Sequence, residues 1–503
     1  MDSTKSLSRF ITIAQQFQKS ANVSADFGTS EAIKGFVLNG SSQACLETMS
    51  RFLSNTKQRA FTWTGPYGTG KSSLALFLAT LLGGNVEDRQ LCREKLSEQR
   101  DLLTPDYSAL LSIEKNWKVL SLIGHNASLI DDFSKIVGLR KANSRKSIEK
   151  FISLTQKQPC LFLIDELGKY LEGGNSENCY FLQELAEAVN RCDNPVIVVG
   201  ILHQSFGAYA SSLSNLQQEE WSKVQGRFVD IPLLMSPNET LQLLSQSIEK
   251  KDITVPSCIT SLVKASIKCI NFSIDKRSFE NYLKGTWPLN PITSLLLGPI
   301  SRRRFLQNTR SVFSFLTSKE PFSFNTFLEN TSIENTKAVY NLDQLWDYLH
   351  VNYGQSILSN RVESHRWLLA CDCIDRADRL RSSVVTSVIK AIAVLDLFHQ
   401  GSGLEVNLET ISLGLFPHTK AEITSALATL VAQKIIIEKR YANAYGLFEG
   451  SDFNLEAAVQ SVLAEHQPLD SSSLHNLLGI PPLIANRHYA ISGTLRWFSV
   501  ELA

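Results

Sequence analysis

Apolar and polar positions divide the first half of the chain into short blocks. Five apolar runs stand out: Arg59–Thr64 (RAFTWT), Trp117–Ile123 (WKVLSLI), Cys160–Ile164 (CLFLI), Pro195–Ile201 (PVIVVGI) and Phe228–Leu233 (FVDIPL). Turn or charged residues bound each run, and helical patterns lie between them. Buried parallel strands read this way, because both faces of such a sheet are covered. Five strands alternating with helices predict an α/β layer fold with a five-stranded parallel sheet. Before the first run, a helix is expected over Ser41–Leu53, with Asn39-Gly40-Ser41 as its turn and cap. After it, Ser72–Leu82 reads as a helix with apolar residues on most faces, as expected for one packed on a sheet. Residues 85–117 are polar and helical in character, and read as an insertion.

Beyond Ser236 the strand signal fades. Pro237–Ser247, Ile259–Ile270 and at least one helix within Pro291–Thr317 make an all-helical module. A third module has helices at Val384–His399, Leu408–Leu415 and Lys420–Gln433. Strands Ile435–Lys439 and Ala444–Glu449 follow it around a Tyr-Ala-Asn turn. Three helices and a hairpin is the winged-helix order. The last stretch, HYAISGTLRWFSVELA, reads as a turn and a strand that needs a partner, within the chain or in a longer protein. The expected division is 1–57 as an N-terminal lead-in, 58–236 as the α/β core, 237–380 as helical module and linker, 381–465 as winged helix, and 466–503 as a C-terminal segment.

Composition narrows the function classes. Lys+Arg is 50 against 49 Asp+Glu, a net charge of +1, so nothing global points to nucleic acid or an anionic membrane. Nine cysteines are scattered without a CxxC pair, and only Cys371 and Cys373 lie close. They read as reduced thiols of a cytoplasmic protein. The start carries no secretory signal pattern, and no run of about 18 apolar residues suggests a membrane span.

Residues 65–72, GPYGTGKS, match G-x-x-x-x-G-K-[S/T]. The glycines let the backbone curl so that its N–H groups face a phosphate, and the helix behind adds its positive end. This makes Gly65, Pro66, Tyr67, Gly68, Thr69, Gly70, Lys71, Ser72 and Ser73 the candidate ATP-binding residues. Lys71 is placed to reach the β- and γ-phosphates, and the Ser72 hydroxyl to ligate Mg²⁺. CLFLIDE supplies the other half. Asp165 can hold Mg²⁺ through water, and Glu166 can polarise an attacking water. The plainer alternative is a strand that ends in acids at the surface. Lys71 and Asp165 stand 94 positions apart, room for one intermediate strand, which suggests motif strands that are adjacent in the sheet but not consecutive in the chain.

With these motifs the chain resembles AAA+ P-loop ATPases, in particular their initiator-like and STAND-like branches. The adjacent Asp165-Glu166 after a hydrophobic strand carries the resemblance, as does the further strand PVIVVGILHQS with its polar end. The resemblance implies a sensor at His203 or Gln204, against simple loop polarity. WSKVQGRFVDIPL resembles the arginine-finger segment, which would let Arg227 reach a neighbour's γ-phosphate; an intramolecular salt bridge is the alternative. The helical module then corresponds to the lid, with its sensor arginine among Arg302, Arg303, Arg304 and Arg310. Arg310 is favoured, because QNTRSVFSFL is similar to a stretch of large bacterial ATPases, many found in phage-defence gene clusters. The three consecutive arginines read alternatively as a solvated helix face or a patch on a phosphate backbone. No LSGGQ or NKxD segment points to other P-loop classes.

The winged-helix segment argues against strong DNA binding. From Ser383 to Gln460, five basic residues stand against eight acidic ones, a local charge of −3, the wrong sign for a phosphate-binding face. Only Lys439-Arg440-Tyr441 on the hairpin looks like a backbone contact. The expectation is therefore an ATP- and Mg²⁺-dependent AAA+-like hydrolase acting as a conformational or assembly switch, with copies of itself or same-system proteins as partners, no membrane, and a defence role implied by the resemblance alone. The alternative is a nucleotide-gated DNA-binding initiator or regulator with little turnover.

Overall fold

The computed structural model describes residues 5–17, 21–66, 68–97, 107–111, 116–125, 128–140, 143–171, 176–204, 224–270, 276–303, 312–359, 363–439, 442–449 and scattered positions between 460 and 500. It divides into two units, Met1–Leu447 and Phe448–Ala503.

In the first unit a short strand β1 (Ile11–Ile13) precedes the five strands of the main sheet. These are β2 (Ala60–Thr64), β3 (Lys118–Ile123), β4 (Cys160–Asp165), β5 (Val196–Leu202) and β6 (Val229–Pro232). The sheet is wholly parallel, in the order β3-β4-β5-β2-β6. One expectation fails here. The strand before the glycine-rich loop, β2, does not neighbour β4, which carries Asp165. Strand β5, later in the chain than both, hydrogen-bonds to each and lies between them.

Strands β4 and β5 are buried at every position, and period-2 alternation splits their side chains between two cores. Leu161, Leu163, Ile197 and Val199 join the helices Gly40–Asn55 and Lys71–Gly83 on one face. Phe162, Ile164, Val196 and Val198 join Leu129–Ile136, Ser144–Thr155 and Ser176–Asn190 on the other. The Asn39 side chain caps Gly40–Asn55 by accepting from the Ser42 amide, as its sequence suggests.

A third core holds the helical half. It runs from Leu241 through Leu296, Leu345 and Ile389 to Leu427 and Ile436, so the helices after residue 236 and those around 383–432 share one apolar interior. Helices Leu342–Leu358 and Ser364–Asp378 are part of it. The elements Ser383–Phe398, Leu408–Gly414 and Lys420–Ala432 are followed by an antiparallel hairpin, β8 (Ile436–Lys439) and β9 (Ala444–Leu447). The N-terminal segment is divided. Strand β1 pairs with β7 (Ile248–Lys250) and Leu7 enters the helical core, whereas Val23, Ile33 and Leu38 pack with the sheet.

In the second unit, β10 (Leu483–Ile484) pairs antiparallel with β11 (Trp497–Phe498), so the terminal strand finds its partner within the chain. Among the described residues, no helix is long and apolar enough to cross a membrane.

Candidate functional site

The parallel register brings the C-terminal ends of β2, β3, β4 and β5 to one edge of the sheet, with Ile123 opposite Asp165 and Thr64 opposite Leu202. Everything polar that the motifs single out, except the arginines, leaves the sheet at this edge.

The loop after β2 is shaped by its glycines. Gly68 and Gly70 have φ of 79° and 80°, in the left-handed region that disfavours side chains. A Cβ on Gly65 would lie 2.3 Å from the Leu233 carbonyl oxygen, so only glycine fits there. Gly70 caps the helix Lys71–Gly83, which begins with Lys71 and the half-buried Ser72 and Ser73. Lys71 is 4% exposed. Its Nζ donates to the carbonyls of Gly65 (2.6 Å) and Pro66 (2.7 Å) and to Thr69 Oγ1 (3.3 Å). Burial lowers its pKa to about 8, with Asp165 acting in the opposite direction. Tyr67 lies outside the described residues.

Asp165 ends β4 and is 6% exposed. Burial raises its pKa above the ordinary carboxyl value, against the nearby Ser72 hydroxyl and the Glu166 amide, so the two residues predicted to share a metal lie close together. That amide donates to Asp165 Oδ1 at 2.9 Å. Glu166 itself sits at φ 51°, an uncommon conformation for a residue with a side chain and one that clusters at functional sites.

Two residues absent from the sequence reading shape this corner. The Gly124 amide donates to the Asp165 carbonyl (2.7 Å), and a Cβ on Gly124 would lie 2.0 Å from the Glu166 carbonyl oxygen. Lys169, one turn beyond, makes an ion pair with the Glu166 carboxylate. A glycine directly after an apolar run, and a lysine three positions after an acid, were the available signals.

His203 and Gln204 follow β5, the strand between the two motif strands, with His203 half-buried and Gln204 exposed. Burial, reinforced by the charges of Lys71 and Lys169, lowers the His203 pKa to about 3 and keeps its ring neutral. Among the described residues, no cluster of three or more His, Cys, Asp or Glu could hold a metal. Ser72 and Asp165 would thus need oxygens from a ligand to complete a magnesium shell, the usual arrangement for this ion.

The arginines lie elsewhere. Arg227 precedes the edge strand β6, whose Pro232 end is level with Thr64, so it stands roughly 16 Å of strand length from the loop edge. Its Nε pairs with Glu187 Oε1 at 2.5 Å, and its carbonyl accepts from Asn190. Arg302 Nη2 donates to the Met235 carbonyl (3.2 Å), on the segment leaving β6. Arg303 is bound to Glu363 (3.2 Å) and the Leu397 carbonyl (3.0 Å), and covers the Phe398 ring. Arg304 and Arg310 lie outside the described residues.

These features define a P-loop nucleotide-binding core. Residues 62–214 match the model of the ATPase family associated with various cellular activities (AAA). The match runs from within β2 past β5 and includes both motifs, so this part of the chain is an AAA ATPase domain. Among solved structures, the chain is similar to the Aeropyrum pernix Orc1 protein in complex with DNA, with 14% identity, 87% of this chain and 96% of that chain covered, and a TM-score of 0.28. Pyrobaculum aerophilum Cdc6p gives 11%, 91%, 99% and 0.31. AMPPCP-bound DnaA from Aquifex aeolicus gives 12%, 82%, 92% and 0.27. Likeness at this level assigns no residue a role. No curated protein matches the chain.

Proposed function

We propose that the chain binds ATP with Mg²⁺ at this sheet edge, hydrolyses it, and uses the cycle to switch conformation or assembly. The observation that carries the reading is the meeting, at one end of the sheet, of the glycine-shaped loop with its buried Lys71 and the buried Asp165, with Glu166 beside it. The amides of Gly68–Lys71 would face the phosphates, and Lys71 would exchange loop carbonyls for phosphate oxygens. Mg²⁺ held by Ser72 and Asp165 would offset the charge that develops on the phosphates. Glu166 would accept the proton of the attacking water, while His203 or Gln204, at the tip of the intervening strand, would sense the γ-phosphate.

Arg227 stands at the wrong end of the sheet to serve its own loop, which favours action on the nucleotide of a neighbouring copy. It would leave Glu187 to do so. In the lid, Arg302 contacts the segment leaving β6 and Arg303 is engaged within the helical core; Arg310 keeps its role on the resemblance of its segment. The helix-helix-helix-hairpin order of residues 383–447 supports reading that part as a winged helix, and it favours the second reading, a nucleotide-gated DNA binder. Salt-sensitive binding to duplex DNA would support it. A role in phage defence rests on the lid resemblance.

Lys71→Ala tests the site. ATP binding, followed by calorimetry with Mg²⁺ present, is expected to weaken by at least about tenfold, the scale of a charge-assisted bond to phosphate. Unchanged affinity would remove the loop from the site.

A further inference from the structure

The end of the sheet opposite the glycine-rich loop carries chemistry that nucleotide binding leaves unused. Strands β2 and β5 start there, roughly 16 Å of strand length from the loop. Beside their first residues lies a cavity of about 420 Å³, against the C-terminal end of the helix Gly40–Asn55. Leu53, Pro195 and Ile197 give it an apolar wall. Arg59, Trp117 and Asp193 line it as well.

Each of these three has unused hydrogen-bonding capacity. Arg59 is half-buried, and its Nη1 donates to the carbonyls of Thr56 (3.0 Å) and Gln58 (2.8 Å). Its Nε and Nη2 groups have no partner among the described residues. Side by side, they form the guanidinium edge that meets a carboxylate with two parallel bonds. Burial lowers the Arg59 pKa, with Cys192 acting in the opposite direction. The backbone beneath is fixed: the Arg59 amide donates to Asn190 Oδ1 (2.7 Å), and its carbonyl accepts from the Val198 amide (2.9 Å). Trp117 is 3% exposed, and its buried Nε1 finds no acceptor. Asp193 is exposed and makes no ion pair with Arg59 or with any other described residue. Buried donors left unpaired cost stability, and they are met by solvent or by a ligand.

We propose that this cavity binds a small zwitterion, an apolar α-amino acid. Its carboxylate would meet Arg59 and Trp117, its ammonium Asp193, and its side chain Leu53, Pro195 and Ile197. Unpaired charges of both signs on one cavity select a ligand that carries both, because a ligand of one sign leaves the other unanswered. The volume lies toward the small end of ligand sites, which suits a free amino acid. The apolar wall favours a leucine-like side chain over a polar one.

Calorimetry of the full chain without nucleotide tests this, independently of the ATP site. L-leucine and L-phenylalanine are expected to bind saturably, with Kd of about 1 mM or tighter. Arg59→Gln should weaken L-leucine binding by at least about tenfold, the scale of a bidentate carboxylate contact. Asp193→Asn, at an exposed position, should weaken it by about two- to fivefold, the scale of an exposed ion pair. Isovalerate, which lacks the ammonium, should lose about as much as Asp193→Asn does; isopentylamine, which lacks the carboxylate, should lose about as much as Arg59→Gln does. If Arg59→Gln fails to fold, Asp193→Asn and these two half-ligands decide. No saturable heat from either amino acid up to about 20 mM overturns the site. So does L-leucine affinity that is equal in the parent and the folded variants, or isopentylamine that binds as tightly as L-leucine.

Discussion

The edge of the sheet and the helical core are built to opposite rules. At the edge, Lys71 and Asp165 are buried charges, Glu166 holds an uncommon backbone angle, and two glycines admit carbonyl oxygens where a methyl group would collide. In the helical half, apolar side chains from Leu241 to Ile436 fill one interior. Ion pairs there, such as Arg303–Glu363 and Lys390–Asp347, are partly exposed. The first region trades stability for geometry, and the second supplies stability and tolerates rearrangement of its polar groups. Lesions in the two regions should therefore differ in kind.

The largest effect on stability is expected in the helical half. Leu296 is fully buried, and Leu296→Ala should destabilise the fold by about 2–5 kcal/mol in denaturant unfolding, through lost burial and the cavity left behind. ATP affinity, measured below the transition, should stay within about twofold. A large loss of affinity with little loss of stability would break the contrast.

The smaller but more selective effect lies at the edge. Gly124→Ala adds a single methyl group where the Glu166 carbonyl lies 2.0 Å away. Displacing Glu166 by about 1 Å should reduce turnover by up to about 10²-fold. Stability should fall by less than in Leu296→Ala, and ATP binding should persist. Equal losses of binding and turnover would mean that Gly124 supports the loop as a whole instead of the base.

Much of this organisation was legible in the sequence because it is local. The five apolar runs, the Asn39 cap and the strand-loop-helix around Lys71 are each written within about fifteen residues. Sheet order is not local. The 94 positions between Lys71 and Asp165 can count strands that precede Asp165, but β5, which separates the two motif strands, comes after it. The β1–β7 ladder escaped for the same reason, since Ile11 and Lys250 meet only through folding. Gly124 looks like an ordinary turn glycine until the Glu166 carbonyl is seen against it. The helix Leu342–Leu358 was within reach: Leu342, Leu345, Trp346, Leu349 and Tyr353 recur at helical spacing and are all buried.

The most direct test of the account separates binding from chemistry at Glu166. ATP affinity and steady-state turnover would be measured side by side for the parent chain and Glu166→Gln. Affinity should stay within a few-fold of the parent and turnover should fall by about 10²- to 10⁴-fold, the range for removal of a positioned base. Turnover at the parent rate in Glu166→Gln would contradict it.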